Sequence, residues 1–136
     1  MNIYTRRKGF SLLELIVVIA IIGILSTVVM FFISDVRAKG RDARRDRDGH
    51  EIRTAFGLYA TDKNGYPTSN DPYPIIINGQ DDISQALVSG KYISIMPTDP
   101  VGKEPNTYKY TAINNGSSYE FKYCYETSGE CRDVKP

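Results

Sequence analysis

One carboxylate, Glu14, lies inside an otherwise apolar run near the start of the chain. From Phe10 to Ile33 there are 24 residues, and Glu14 is the only charged one. An unpaired charge in hydrocarbon is costly, so a carboxylate there needs either a cationic partner or access to the lipid headgroups. A side chain in the first helical turns can reach back to the headgroups, which is the simpler explanation. The sequence therefore raises the question of which cation Glu14 would meet.

Cys124 and Cys131 are the only cysteines, with residues 125–130 between them. Two thiols cannot complete a tetrahedral zinc site, and no further cysteine or histidine lies close by in the sequence. The alternatives are two free thiols or a disulfide that holds the C-terminal tail to the last strand. We predict the disulfide, which would contribute about 2 kcal/mol in the chain-entropy model. Because disulfides persist outside the cytoplasm, this pair indicates an exported C-terminal head.

A short charged segment is the remaining candidate for a metal or catalytic site. Asp46, Asp48 and Gly49 are similar to the start of a calcium-binding loop, but the later ligand positions of that loop are missing. His50 is the only histidine, and no nucleophile lies at a recognisable spacing from it. A charged helix face is the favoured interpretation. We therefore expect no catalytic residues, no metal ligands and no enzymatic activity.

The apolar run is long enough to cross a bilayer. As a helix rising about 1.5 Å per residue it covers about 36 Å, against a hydrocarbon core of about 30 Å. A secretory signal peptide would have an apolar core of about 7 to 15 residues and a small-residue cleavage site after it. Neither feature fits this run, although a plain N-terminal anchor remains an alternative. Basic residues flank both ends, so charge alone does not set the orientation.

A charged stalk helix is predicted to continue beyond the membrane as far as Asn64. Its apolar positions follow the i, i+3, i+4, i+7 spacing of an amphipathic helix. They are Ile52, Ala55, Phe56 and Tyr59. Residues 34–49 hold six basic and four acidic side chains, against eight and eleven in residues 50–136. Opposite charges could align neighbouring copies, but a solvated helix face is the favoured interpretation.

The rest of the sequence predicts a small head built from a helix and a hairpin. Residues 82–89 are expected to form a short helix between an aspartate cap and Gly90. Residues 108–113 and 118–125 are expected to be strands joined by an Asn-Asn-Gly turn. Aromatic residues alternate along the second strand and should pack on the stalk helix, with sugar or peptide binding as the less favoured alternative. A C-terminal loop is expected after this strand.

The segment Lys8-Gly9-Phe10-Ser11-Leu12-Leu13-Glu14-Leu15 resembles the processing signal of type IV prepilins and type II secretion pseudopilins. In that family a membrane peptidase cuts after the glycine and methylates the new terminal residue. The resemblance therefore implies cleavage between Gly9 and Phe10, N-methylation of Phe10 and a filament-assembly role for Glu14. The amino group created at Phe10 of a neighbouring copy would be the cation that Glu14 meets.

The resemblance extends more weakly into the head. The stretch Pro97-Thr-Asp-Pro100-Val-Gly102 matches a Pro-x-Asp-Pro-Trp-Gly segment of major pseudopilins, except that Val101 replaces the tryptophan. This favours a secretion pseudopilus over a type IV pilus or a competence filament. Some secretion-type relatives bind calcium in their C-terminal loops, but those ligands do not map onto this tail. We therefore expect no cofactor, with calcium left as an alternative.

The sequence thus predicts an α+β, pilin-like subunit with a long N-terminal helix packed against a small antiparallel sheet. Residues 1–9 would be a leader that is removed, 10–33 the membrane and filament-core helix, 34–64 the stalk and 65–136 the head. The implied partners are prepilin peptidase, further copies, minor pilins, a membrane assembly platform and the bilayer.

A net charge of +1 gives no reason to expect nucleic acid as a partner. The predicted location is the cytoplasmic membrane, crossed once with the head outside, followed by an extracytoplasmic filament. The alternative is a membrane-anchored binding module, either a minor pilin or a protein that never polymerises.

Overall fold

The structure is a computed structural model that describes residues 9–70 and 73–136. The predicted leader therefore lies outside the described residues, apart from Gly9. Residues up to Val36 form one unit, and Arg37–Pro136 form a second. The second unit contains the later part of the long helix together with the sheet.

The long helix, α1, runs from Leu12 to Lys63. Its most apolar 18-residue window has a mean hydropathy of 3.1, and none of that window is buried. By length and composition, α1 is the one helix among the described residues that could cross a membrane. The helix ends at the predicted Asn64-Gly65 segment. Asn64 adopts a positive φ of 58°, which interrupts the helix and which asparagine tolerates better than most residues.

The head contains a four-stranded antiparallel sheet and a second helix. The elements are β1 (Ile75–Ile77), α2 (Asp82–Ser89), β2 (Tyr108–Ile113), β3 (Ser118–Cys124) and β4 (Cys131–Val134). The strands lie side by side in chain order, from β1 to β4. Asp81 caps α2 by accepting a hydrogen bond from the Ser84 N–H. The fold class is α+β, with a long N-terminal helix against an antiparallel sheet, as predicted.

The turn between β2 and β3 depends on three consecutive residues with positive φ. Asn114, Asn115 and Gly116 have φ angles of 48°, 55° and 84°. The Gly116 carbonyl accepts a hydrogen bond from the Tyr66 N–H at 2.7 Å. A Cβ on Gly116 would lie 2.7 Å from the Tyr66 carbonyl oxygen. Glycine is therefore required here both for the turn and for the close approach of the segment that follows α1.

Aromatic side chains form the centre of the core between α1 and the sheet. Phe56 on α1 is fully buried and lies 4.7 Å from Tyr119 and 4.9 Å from Tyr110, measured between ring centroids. Ile52 and Phe121 are also fully buried. The predicted packing of the aromatic strand on the helix is confirmed. Tyr119, Phe121 and Tyr123 of the aromatic row are therefore buried in the core, and Tyr125 at its end is partly buried.

The expected C-terminal loop is wrong for residues 131–134, which form β4. This strand pairs with β3, with Val134 opposite Phe121 and Cys131 opposite Cys124. The sequence Cys-Arg-Asp-Val lacks the alternation of apolar and polar residues that predicts a strand. In the structure its first three residues are exposed, and only Val134 is half-buried. Backbone pairing with β3, and not burial of side chains in the core, therefore holds β4 in place. The preceding strand also ends at Cys124, one residue earlier than expected.

Candidate functional site

The residues of the predicted processing signal lie at the start of α1. Gly9 and Phe10 precede the helix, and the Phe10 side chain is 82% exposed. The Ser11 carbonyl accepts hydrogen bonds from the N–H groups of Glu14 and Leu15 at 3.1 and 3.3 Å, which begins the first turn. Glu14 lies exposed in that turn, where the partial positive charge of the helix terminus favours a carboxylate.

Apolar side chains cover every side of the first part of α1. Its large apolar side chains from Leu12 to Met30, together with Phe32 and Ile33, are exposed, many by more than half. A helix that is apolar all round needs either lipid or other apolar helices around it. The apolar surface of this part of α1 is therefore suited to contact with a bilayer or with other apolar helices.

In the second unit, Arg45 is fully buried between α1 and the loop that precedes β2. Its Nε and Nη2 donate to the two carboxylate oxygens of Asp99 at 2.7 and 3.0 Å. Its Nη1 donates to Asp42 Oδ1 at 2.7 Å. Asp99 also accepts hydrogen bonds from the N–H groups of Val101 and Gly102, at 2.8 and 3.2 Å. Arg45 thus holds the 97–102 loop against the helix.

The charged segment of α1 is therefore not a uniformly solvated face. Asp42, Arg45 and Asp48 are buried, whereas Arg44 and Arg47 are exposed. The solvated-face interpretation is wrong for the buried three, because the sign and spacing of charges do not show which side of a helix meets the sheet. The sequence places Arg45 three residues after Asp42, but this spacing does not indicate that Arg45 is buried.

The loop between β3 and β4 is held to α1 by neighbouring charges. Asp42 accepts hydrogen bonds from the N–H groups of Glu126 and Thr127 at 2.8 and 3.1 Å, and from the Thr127 hydroxyl at 2.7 Å. Arg41 donates to both oxygens of the Glu126 carboxylate, at 2.7 and 2.6 Å. Consecutive residues of the helix therefore contact the backbone and a side chain of the same loop.

The disulfide is present, and it closes this loop. Cys124 and Cys131 are bonded and lie directly opposite each other at the end of the β3–β4 ladder. Within the loop, the Tyr125 N–H donates to the Glu130 carbonyl at 2.8 Å, and the Gly129 N–H donates to the Tyr125 carbonyl at 3.0 Å. Covalent closure and the backbone bonds therefore define one tight turn.

Asp46 Oδ1 accepts three hydrogen bonds from the sheet and from the loop that follows β3. The hydroxyl groups of Tyr125 and Tyr123 donate at 2.6 and 2.8 Å, and the Arg132 guanidinium donates at 3.0 Å. Asp48 contacts a different group, the Tyr108 hydroxyl, at 3.0 Å. Asp46 and Asp48, which resemble the start of a calcium-binding loop in the sequence, therefore contact different groups and do not face a common site.

Among residues 9–70 and 73–136, no group of three or more His, Cys, Asp or Glu side chains is arranged to hold a metal ion. His50 is exposed and borders a cleft of about 130 Å³ together with Arg53 and Arg132. This cleft is smaller than the roughly 300 to 1,000 Å³ typical of small-molecule sites.

The pKa values of these groups reflect their contacts. Burial alone would raise the pKa of Asp99, but hydrogen bonds from Arg45 and two backbone N–H groups outweigh it and lower that pKa. Burial is likewise outweighed at Asp42, whose pKa is lowered by hydrogen bonds from Glu126 and Thr127. Because folding lowers both pKa values, the two carboxylates stabilise the folded head at pH values above their unfolded-state pKa of about 4. That contribution is lost as pH falls through the folded-state values.

A close contact between α1 and β3 requires glycine at position 49. A Cβ there would lie 2.8 Å from Cε1 of Tyr123, a buried ring whose hydroxyl is bonded to Asp46. We predict that Gly49→Ala lowers the free energy of unfolding by about 1 to 2 kcal/mol, although alanine favours helix by about 1 kcal/mol. Urea unfolding followed by near-ultraviolet circular dichroism, which reports the buried tyrosines, measures the change.

The matched control is Gly57→Ala, because a Cβ at Gly57 meets nothing within 4 Å. This change should stabilise the head by up to about 1 kcal/mol through helix propensity. If both variants gained stability, the contact between Gly49 and Tyr123 would not limit the size of residue 49.

Comparison with known proteins gives a match to a family model and several similar relatives. Residues 4–30 match the family model described as the prokaryotic N-terminal methylation motif. The type II secretion system core protein G of Aeromonas hydrophila is 31% identical over 99 residues, covering 71% of this chain and 69% of the relative. The protein of the same name from Escherichia coli K12 is 29% identical over 113 residues, covering 82% and 74%.

A pilus protein is also similar, over a shorter segment. The type IV narrow pilus major component PilA5 of Thermus thermophilus is 32% identical over 68 residues, covering 50% of this chain and 59% of the relative. No solved structure matches the chain significantly.

Proposed function

Because this chain belongs to the family of the type II secretion system core protein G, we propose that it is a pseudopilus subunit that is processed, stored in the membrane and assembled through α1. One observation carries the proposal. The methylation motif of residues 4–30 overlaps a helix whose apolar residues are exposed on every side. A soluble head attached to such a helix needs a bilayer before assembly and a bundle of like helices after it.

Processing would occur between Gly9 and Phe10. Both residues are exposed and precede the first helical residue, Leu12, so a protease could bind this segment in an extended form. Glycine suits such a cleft because it lacks a Cβ. Methylation would then modify the amino group of Phe10, which would be the terminus of the mature subunit.

Assembly would pair Glu14 of one copy with the Phe10 amino group of a neighbour. The two groups lie at nearly the same position along the chain, so they would reach nearly the same depth in a helix bundle. A carboxylate in an apolar bundle is stable only beside a cation, and cleavage creates that cation. Before assembly, Glu14 would extend to the headgroups.

The anchor and the disulfide both support an extracytoplasmic location for the head. The subunit would cross the cytoplasmic membrane once, with its head outside, where a disulfide persists. Its partners would be the prepilin peptidase, the assembly platform, minor pilins and further copies. The role is structural and not catalytic, since the buried carboxylates described above hold loops and tyrosines in place.

The test of processing is a change at the cleavage point. We predict that Gly9→Val blocks cleavage, because a β-branched side chain replaces the residue beside the cut bond, so the product retains residues 1–9 and lacks the methyl group. Intact-mass spectrometry of the membrane fraction measures both. Wild-type protein from cells without the peptidase is the control, since it too should retain residues 1–9. Equal masses for the variant and the wild type in normal cells would contradict the processing proposal.

A further inference from the structure

The loop between the two cysteines, residues 125–130, lies beside two permanently positive groups. Arg41 contacts both oxygens of Glu126, at 2.6 and 2.7 Å. The buried Arg45 places Nη1 at 3.8 Å from the same carboxylate. Arginine remains protonated at every physiological pH, so this positive charge is constant. The loop carboxylate that could bind a metal cation is therefore already paired with protein cations.

Asp42 is the second carboxylate that contacts this loop, and both of its oxygens are occupied. Oδ1 accepts from Arg45 at 2.7 Å and from the Glu126 N–H at 2.8 Å. Oδ2 accepts from the N–H and the hydroxyl of Thr127, at 3.1 and 2.7 Å. These four donors use the lone pairs that a metal ion would need.

This set of groups does not fit calcium, the alternative left open by the sequence. Calcium takes about six to eight oxygen ligands at 2.3 to 2.6 Å, several of them charged. Glu130 is the other carboxylate of the loop; it is exposed, and one exposed carboxylate does not make such a site. A divalent ion placed beside Glu126 would also be repelled by Arg41 and Arg45.

We propose that Arg41, Asp42, Arg45 and the Cys124–Cys131 disulfide together hold the C-terminal loop of this chain in place without a metal ion. The guanidinium groups supply the positive charge, Asp42 fixes the loop backbone, and the disulfide closes the turn. The head therefore requires an oxidising compartment for its full stability and does not require calcium. This inference goes beyond the filament role and holds whether or not the subunit polymerises.

The first experiment compares melting curves of the full-length protein in detergent, followed by near-ultraviolet circular dichroism. Oxidised wild type should melt at the same temperature, within about 1 °C, in excess calcium and in excess chelator. A calcium site filled at about 100 times its dissociation constant would raise the melting temperature by about 10 °C or more. A rise of that kind, or saturable binding of calcium in titration calorimetry, would overturn the proposal.

The second experiment removes the disulfide. Reduced wild type and the double variant Cys124→Ser/Cys131→Ser should both melt about 10 °C lower than the oxidised wild type. The reductant should have no further effect on the variant, which separates loss of this bond from other effects of the reductant. If calcium restored the melting temperature of either form, the loop would hold a cation site and the proposal would fail. Should the double variant not fold, reduced wild type still decides the outcome.

The third comparison tests the guanidinium contribution. Arg41→Gln should lower the melting temperature by a few degrees, since it removes a half-exposed ion pair. Arg44→Gln is the matched control, because the Arg44 side chain is 48% exposed and pairs with Asp48 on the same helix. Equal melting temperatures for the two variants would show that Arg41 does not hold the loop.

Discussion

Replacing Glu14 by valine is expected to leave the subunit in the membrane and to remove most of its filaments. Valine fits the apolar surface of α1, so insertion of the helix should be unchanged. In a bundle of helices, however, the neighbouring Phe10 amino group would lose its counterion, and an uncompensated buried charge costs about 3 to 5 kcal/mol. Since about 1.4 kcal/mol is a factor of ten in an equilibrium, filament yield should fall by at least about tenfold.

The measurement is the ratio of sheared filament to membrane-bound subunit on an immunoblot. Intact mass should show that the variant is still cut after Gly9, which separates an assembly defect from a processing defect. Glu51→Val is the control, because Glu51 is an exposed carboxylate on the later part of α1. Normal filaments from the Glu14 variant would contradict the pairing mechanism. A wild type that never polymerises would instead favour a membrane-anchored binding module.

Arg45→Met is expected to destabilise the head more than any other single change proposed for it. The substitution leaves two buried carboxylates, Asp42 and Asp99, without their shared cation. Removing one partner of a buried ionic group costs about 3 to 5 kcal/mol. Because domains are stable by only about 5 to 15 kcal/mol, this loss is a large share of the total. The 97–102 loop should be released first, since Arg45 connects it to α1.

Urea unfolding of the full-length protein in detergent measures the effect through the near-ultraviolet signal of the buried tyrosines. Arg44→Met is the control, with an expected loss below about 1 kcal/mol, because the Arg44 side chain is about half exposed and pairs with Asp48 at 3.4 Å. A loss below about 1 kcal/mol for Arg45→Met would show that the buried guanidinium does not hold the loop to the helix.

The fold could be predicted from the sequence wherever one local rule decides the structure. The β2–β3 hairpin follows from an Asn-Asn-Gly turn between two alternating segments, and residues 82–89 follow from a cap and an apolar face. The aromatic core follows from the matching faces of β3 and α1. The motif from which the processing and assembly residues are predicted is itself matched by the comparisons, at residues 4–30; the roles of Gly9, Phe10 and Glu14 stay predictions.

The burial of Arg45 could not be predicted, because it depends on a partner 54 residues away. Asp99 lies in a proline-containing loop whose sequence indicates a turn, and it does accept turn hydrogen bonds from Val101 and Gly102. Its ion pair with Arg45 is set by how that loop packs on α1. Along the helix, Asp42 and Arg45 are three residues apart, and this spacing is the same on a solvated face and on a buried one.

The close contact at Gly49 and the strand β4 could not be predicted for a related reason. A glycine in a helical pattern indicates only a weaker helix, and its contact with the Tyr123 ring becomes visible only when the sheet is in place. β4 has the composition of an exposed turn, and its pairing with β3 is made by the backbone, which its side chains do not indicate. Both features arise from tertiary packing that no short segment encodes.

The two outermost strands of the sheet bear on how copies can be crowded together. A strand at the border of a sheet exposes unpaired backbone groups that can recruit another chain and start aggregation. Here β1 has only three residues, and β4 has four, with Arg132 and Asp133 between its ends. Short or charged borders resist such recruitment. Heads could therefore be concentrated side by side in a membrane or a filament without joining into one continuous, amyloid-like sheet.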